Sequence, residues 1–362
     1  MFYKKIIRPI FFKIDPEKIH HFVIQFLSVV SRIMPIYFLI RHFLNVVDPV
    51  LSTQIGKIKL SNPIGLAAGF DKNIEAPLAY SMLGFGYAEV GSVTFTAQLG
   101  NPKPRLWRIV KDEGLIVYYG LCNPGAQAAV QKMNKLKDRF IPFGVSIAPT
   151  TGLKLSQLAD DYLESFKILF PLVDYITLNV SCPNVAKCDL FTQVSFIKEL
   201  LEKMSSLKKQ LNSTIDIFVK IGPDMTDEQY DEIVDLCVAN NVSAIIATNL
   251  IKNRNNIVPS STIEELNHPG GISGKMVNSN SNAVIKHLYK RAAGRLQIIG
   301  VGGVFTAKDA YEKIKSGASA IQLITGFIYG GPTTIMHINK GLATLLKQDG
   351  FKNINEVVGI KT

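Results

Sequence analysis

From about residue 52 the apolar residues gather into short, nearly continuous runs, each ending in Gly, Asn, Ala or Val. Ile64–Gly69, Tyr87–Val93, Phe143–Ala148, Tyr175–Val180, Ile217–Gly222, Ala244–Asn249, Gln297–Gly303 and Ala320–Gly326 read as eight strands. Runs that are apolar throughout, rather than at alternate positions, belong to strands covered on both faces, as in a parallel sheet. Between them lie stretches with helical spacing: Ser156–Leu169, Val194–Leu211, Thr226–Ala239, Asn278–Arg291, Ala307–Ser316 and Thr333–Lys347. Eight strands in this alternation predict a closed (β/α)8 TIM barrel over residues 46–362, rather than an open doubly wound sheet.

The first 45 residues have another texture. Asp15-Pro16-Glu17 is a helix start, with Asp as the cap, Pro in the first turn and an acid behind it. The helix would run through Phe22, Phe26, Leu27 and Val30, and a second apolar segment, Ile36–Leu44, follows Pro35. Lys4, Lys5, Arg8, Lys13, Lys18, Arg32 and Arg41 surround both. Such helices suit attachment to an anionic membrane surface, or equally packing on the main domain. The longest apolar region, Phe22 to Ile40, is interrupted by Arg32 and Pro35, leaving pieces too short to span a bilayer. The basic stretch before Arg8 is followed by Asp15 and Glu17 and by no small-residue cleavage site, so no secretory signal is expected.

Composition adds limits. At 362 residues and 47% apolar, the chain can fill one large barrel core. Cys122, Cys182, Cys188 and Cys237 show no CxxC and no Cys/His pairing. Neither a disulfide framework nor a metal site is expected, which fits a reducing compartment. The net charge of +11 is spread without an Arg-rich, aromatic-interleaved block, so no nucleic-acid partner is expected.

In such a barrel, function collects where strands end at their C-terminal side. The ends here are polar: Gly69-Phe70-Asp71-Lys72, Gly91-Ser92, Lys220, Thr248-Asn249, Gly302-Gly303 and Thr325-Gly326. Most pointed is Asn179-Val180-Ser181-Cys182-Pro183-Asn184, in which two carboxamides bracket a thiol. Carboxamides suit a planar ligand with amide edges. Cys182 is either a base or nucleophile, or an ordinary buried thiol. Gly300-Val301-Gly302-Gly303, before a helix capped by Thr306, suits a phosphate, most simply that of a mononucleotide cofactor. Lys220 would then lie beside a flavin's pyrimidine edge and favour its reduced anion.

Several of these motifs together resemble the dihydroorotate dehydrogenase family. They are Asn62 through Lys72, Gly100-Asn101-Pro102-Lys103-Pro104-Arg105-Leu106, Val219 through Asp224, Ile246-Ala247-Thr248-Asn249, Gly270-Gly271-Ile272-Ser273-Gly274 and Ile298 through Gly303, with Gly317-Ala318-Ser319 and Gln322. Asp15-Pro16-Glu17 and His20 resemble the membrane-associated, quinone-reducing class, which strengthens the membrane-surface reading. The resemblance implies an FMN-binding barrel, with Ala68, Gly69, Lys72, Ser92, Asn179, Lys220, Thr248, Gly274, Gly303 and Thr325 at the cofactor. Substrate would meet Lys72, Asn179, Asn184 and Asn249. Cys182 falls on the catalytic base, which takes a proton alpha to a carbonyl while hydride leaves the adjacent carbon for flavin N5; Lys72 assists. The activity implied is oxidation of dihydroorotate to orotate in pyrimidine biosynthesis, electrons passing to a membrane quinone. The protein would be peripheral to a membrane, on the cytoplasmic side of the inner membrane in a bacterium.

The chain departs from that pattern in five places. Cys182 stands where the quinone class has Ser, and Val117 and Ser146 stand where Asn is usual. Leu250 replaces a hydroxyl residue, and Ile324 replaces a Tyr. Those exchanges keep open a flavin oxidoreductase acting on another cyclic amide or enone, and, further off, a redox-inactive membrane-bound scaffold.

Overall fold

The computed structural model describes residues 2–136, 139–181, 194–257, 259–261 and 263–362. Eight parallel strands close into a barrel: β1 (Ile64–Leu66), β2 (Tyr87–Val93), β3 (Phe143–Ile147), β4 (Tyr175–Asn179), β5 (Asp216–Ile221), β6 (Ala244–Ala247), β7 (Gln297–Val301) and β8 (Ala320–Leu323). They neighbour one another in chain order, and β8 returns to β1 with Ile321 opposite Ile64. The helices anticipated from periodicity are present to within a residue at either end, from Leu155–Leu169 to Thr334–Gln348.

The strands stop short of their apolar runs. β1 ends at Leu66 rather than Gly69, β6 at Ala247 rather than Asn249, and β8 at Leu323 rather than Gly326, where a short helix, Thr325–Gly330, begins. Beyond the last paired rung the chain turns over the barrel mouth, and burial keeps those residues apolar although they pair with no strand. Two smaller sheets escaped the sequence reading. A hairpin, Thr53–Ile55 with Ile58–Leu60, closes the barrel floor, its Ile55, Ile58 and Leu60 packing on the interior. An antiparallel sheet of Leu106–Ile109, Gly114–Val117 and Gly271–Gly274 roofs the other end.

Alternate residues of each strand point inward and build layers. Tyr87, Tyr175 and Phe218 form an aromatic layer above the floor. Gly65 and Gly144 make room for it: a Cβ on either would lie 2.4 Å and 2.2 Å from the rings of Tyr87 and Tyr175. Two residues further along come Glu89, Thr177 and Gln322, all fully buried. Glu89 accepts from Thr177 Oγ1 at 2.7 Å and from Gln322 Nε2 at 3.1 Å. Above them stand Asn179 and Lys220, opposite one another in the β4–β5 register.

The N-terminal region contains α1 (Pro16–Val30) and α2 (Met34–Leu44). Asp15 caps α1, accepting from the Lys18 N–H at 2.9 Å, and Pro35 lies within the first turn of α2 rather than before it. An unanticipated helical stretch, Tyr3–Phe12, precedes them. These helices pack on the barrel: Tyr37 is fully buried with its hydroxyl 2.8 Å from Ser81 Oγ, and Tyr3 donates to the Ile328 carbonyl at 2.7 Å.

A further tie is ionic. Glu17 of α1 and Arg105 of the roof are both buried and meet at 2.9 Å. Arg105 also donates to the carbonyls of Leu99 and Asn101. Burial alone would raise the Glu17 carboxyl, but Arg105 and Lys103 outweigh it and hold it low. Replacing Glu17 by Ala strands a buried guanidinium, and is expected to lower the unfolding free energy by about 3–5 kcal/mol. Thermal and urea denaturation of Glu17→Ala would read this directly; a change within about 0.5 kcal/mol would show the pair contributes little.

Candidate active site

The barrel mouth and its roof enclose a cavity of about 1320 Å³, open mouth included. Ala68, Gly69, Lys72, Ser92, Asn179 and Lys220 line it from the first half of the barrel. Thr248, Asn249, Gly274, Gly303 and Thr325 line it from the second half. Every cofactor and substrate position anticipated within the described residues therefore converges on one space. Cys182 and Asn184 lie outside the described residues.

The polar groups are linked. Asn179 donates from Nδ2 to Ser92 Oγ at 2.9 Å, and Ser92 is 2.8 Å from Ser146 Oγ. Ser146 thus acts on the cavity through Ser92 rather than lining it. Asn249 Nδ2 donates to the Ser181 carbonyl at 2.9 Å and lies 3.4 Å from Asn179 Oδ1, so two carboxamides stand side by side. Thr325 Oγ1 is 2.9 Å from Ser273 Oγ, joining β8's end to the roof.

Lys72 is half-buried at the cavity edge. It donates to the Gly69 carbonyl at 2.7 Å, and its ammonium sits 3.7 Å from the centre of the Tyr119 ring. Burial pushes its amine down to about 8, against the opposing pull of Cys122 and Glu17. His20, from α1, reaches the same cavity. Burial, and then the nearby Lys72 charge, lower its pKa to about 3, so the imidazole is neutral at physiological pH.

The anticipated phosphate turn lies ahead of a capped helix. Thr306 does cap the helix Ala307–Lys315, but Asp309 accepts from the N–H groups of Phe305 and Thr306 and from Thr306 Oγ1. That helix end thus carries its own carboxylate, while the glycines ahead of it, Gly302 and Gly303, line the cavity with Val304, Thr325 and Gly326. The sequence reading also missed Tyr119 and Ser273 as lining residues, because they depend on the roof sheet, which pairs segments more than 150 residues apart.

The sequence model of the family described as Dihydroorotate dehydrogenase matches residues 50–346. The chain belongs to the dihydroorotate dehydrogenase family. It is 37% identical over 350 residues to a dihydroorotate dehydrogenase (quinone) of Nocardia farcinica, covering 97% of this chain and 95% of that one. A protein of the same name from Gloeobacter violaceus is 38% identical over 355 residues, covering 98% of both. Among solved structures, a DHODH from Eimeria tenella in complex with ferulenol superposes with a TM-score of 0.84 at 29% identity, over 96% of each chain.

Dihydroorotate dehydrogenases depend on FMN, and the cavity suits that cofactor. A Cβ on Gly69, whose φ is +113°, would meet only Ile324 Cδ1 at 3.6 Å, so the backbone there is open to close approach by a ring. Lys220, 5% exposed, lines the cavity together with two carboxamides. The glycine turn after β7 leaves backbone for a phosphate.

An anion at Lys72 requires the protonated amine. Affinity for a carboxylate ligand such as orotate is therefore expected to fall as pH rises through about 8, approaching about tenfold per pH unit beyond it. Titrations of orotate between pH 6 and pH 10 would measure this, and Lys72→Met should flatten the profile. A wild-type affinity level across that range would remove Lys72 as the anion's partner.

Proposed function

We propose that this protein oxidises dihydroorotate to orotate with bound FMN and passes the electrons to a membrane quinone. The observation that carries the reading is the convergence of Lys72, Lys220, Asn179 and Asn249 on one cavity at the barrel mouth. FMN, when bound, supplies a two-electron acceptor. The ammonium of Lys72 holds the substrate carboxylate, while Asn179, Asn249 and Asn184 meet the amide edges of the ring. Cys182 is the base that removes the proton alpha to the ring carbonyl. An ordinary thiol is a weak base for a carbon acid; the cation at Lys72 offsets this by stabilising the charge that develops on the substrate.

The reading includes peripheral attachment to a membrane through residues 1–45, on the cytoplasmic side of the inner membrane if the source is bacterial. Phe22, Phe26, Phe38, Leu39 and Phe43 are exposed on α1 and α2, with Lys18 and Arg32 nearby. Among the described residues no single helix is long and apolar enough to cross a membrane, and α1 and α2 meet at a bend of 108°. Helices lying in the interface, apolar side down, suit that geometry.

A second reading keeps the flavin and changes the substrate to another cyclic amide or enone. It is supported by Val117, Leu250 and Ile324, all of which line the cavity and offer no polar side chain. Each missing hydrogen bond to a bound ligand removes about 0.5–1.5 kcal/mol.

An anaerobic visible spectrum separates the two. Under the first reading, yellow protein bleaches on adding dihydroorotate, and Cys182→Ala slows that bleaching by at least about a hundredfold. Protein bleached by dithionite but not by dihydroorotate would favour the second. Quinone reduction that survives unchanged without detergent or lipid, and in a chain lacking residues 1–44, would remove the attachment role.

A further inference from the structure

Behind the glycine turn that ends β7 lies a lysine that the site described above does not use. Lys313, on the helix Ala307–Lys315, is fully buried. Its stem runs across Gly300 in β7, where a Cβ would come within 2.7 Å of it, so the mid-strand glycine is what admits the side chain. The ammonium donates to Ser281 Oγ at 3.0 Å and to Asn282 Oδ1 at 2.6 Å.

Both contacts lead to the turn. Ser281 Oγ donates to the Val301 carbonyl at 2.5 Å. Asn282 Nδ2 donates to Asn278 Oδ1 at 3.2 Å, and Asn278 Nδ2 donates to the Gly303 carbonyl at 2.9 Å. A trans peptide directs its N–H opposite to its C=O. The Val301 carbonyl also accepts from the Thr248 N–H at 3.1 Å; with it and the Gly303 carbonyl both engaged, the N–H groups of Gly302 and Val304 are directed away from them, on residues that line the cavity.

The charge balance points in the same direction. Among the described residues Lys313 has hydrogen-bond partners but no carboxylate within ion-pair distance; Asp309 acts on it only from further away. A buried ammonium without a counter-ion is unfavourable, and burial accordingly pulls its pKa down to about 7. A fixed dianion across the turn would supply the missing opposite charge.

We propose that Lys313 is a positioning residue for the flavin's phosphate, holding the Val301–Val304 turn with its amides toward the cavity and adding positive charge behind them. This rests on the FMN reading and extends it to a residue that never touches the ligand. The test compares FMN with riboflavin, which lacks only the phosphate, by titrating each into the flavin-stripped full-length chain and following flavin fluorescence. Lys313→Met is expected to weaken FMN by about tenfold while riboflavin changes by less than about twofold; Lys313→Arg should restore much of the difference. If Lys313→Met does not fold, Ser281→Ala cuts the link to Val301 and should still lower the FMN-to-riboflavin preference by about threefold. Equal weakening of both flavins, or no change in their ratio, would overturn the proposal while leaving FMN as the cofactor. A wild-type chain that binds neither flavin would overturn both.

Discussion

The alternation of side chains along eight strands closed into a ring is the constraint on which the molecule depends. Closure leaves no strand free to slip, because a shift of one residue would turn every inward group outward. β4 shows the result in three steps: Tyr175 in the aromatic layer, Thr177 on the buried Glu89, and Asn179 at the cavity. β5 does the same with Phe218 and Lys220. The apolar floor fixes the height of the polar layer, and the polar layer fixes the height of the site. The chemistry therefore stands on packing whose own residues take no part in it.

The roof obeys a different logic. It is antiparallel, built from distant segments, and held down by charge as well as by apolar packing. Arg105 bridges it to α1 through Glu17, and lies 5.1 Å from the Tyr119 ring that also carries Lys72. A helix outside the barrel is thus coupled through two cations and one ring to the edge of the cavity. His20, on the same helix, completes that wall as a neutral group. The N-terminal region is part of the site's construction, whatever surface its outer face meets.

The barrel was legible because its signal is local: apolar runs, helical spacing and caps such as Thr306 each report on a few neighbouring residues. Most of the site was legible for the same reason, since residues at strand ends inherit their placement from the strand, as Ser92, Lys220 and Thr325 do. What escaped depends on long-range pairing. Nothing near Val117 announces that it will lie opposite Gly271, and without that sheet Tyr119 and Ser273 have no visible reason to face the cavity. Strand ends were overrun because burial at the mouth mimics burial in the ladder. The reach of Asp309 back over the cap of the helix at Ala307 was equally out of view, because it is set by geometry rather than by composition.

Gly65 and Tyr87 sit on adjacent strands, and the ring of one fills the space a methyl on the other would need. Gly144 and Tyr175 repeat the arrangement two strands further round. Each pair therefore behaves as a single volume divided between two positions. Enlarging the glycine is tolerable only if the ring shrinks, and shrinking the ring alone leaves a hole beneath the polar layer. In the descent of such a chain these positions can change only together, so each pair should drift as one character while the residues around it drift as many.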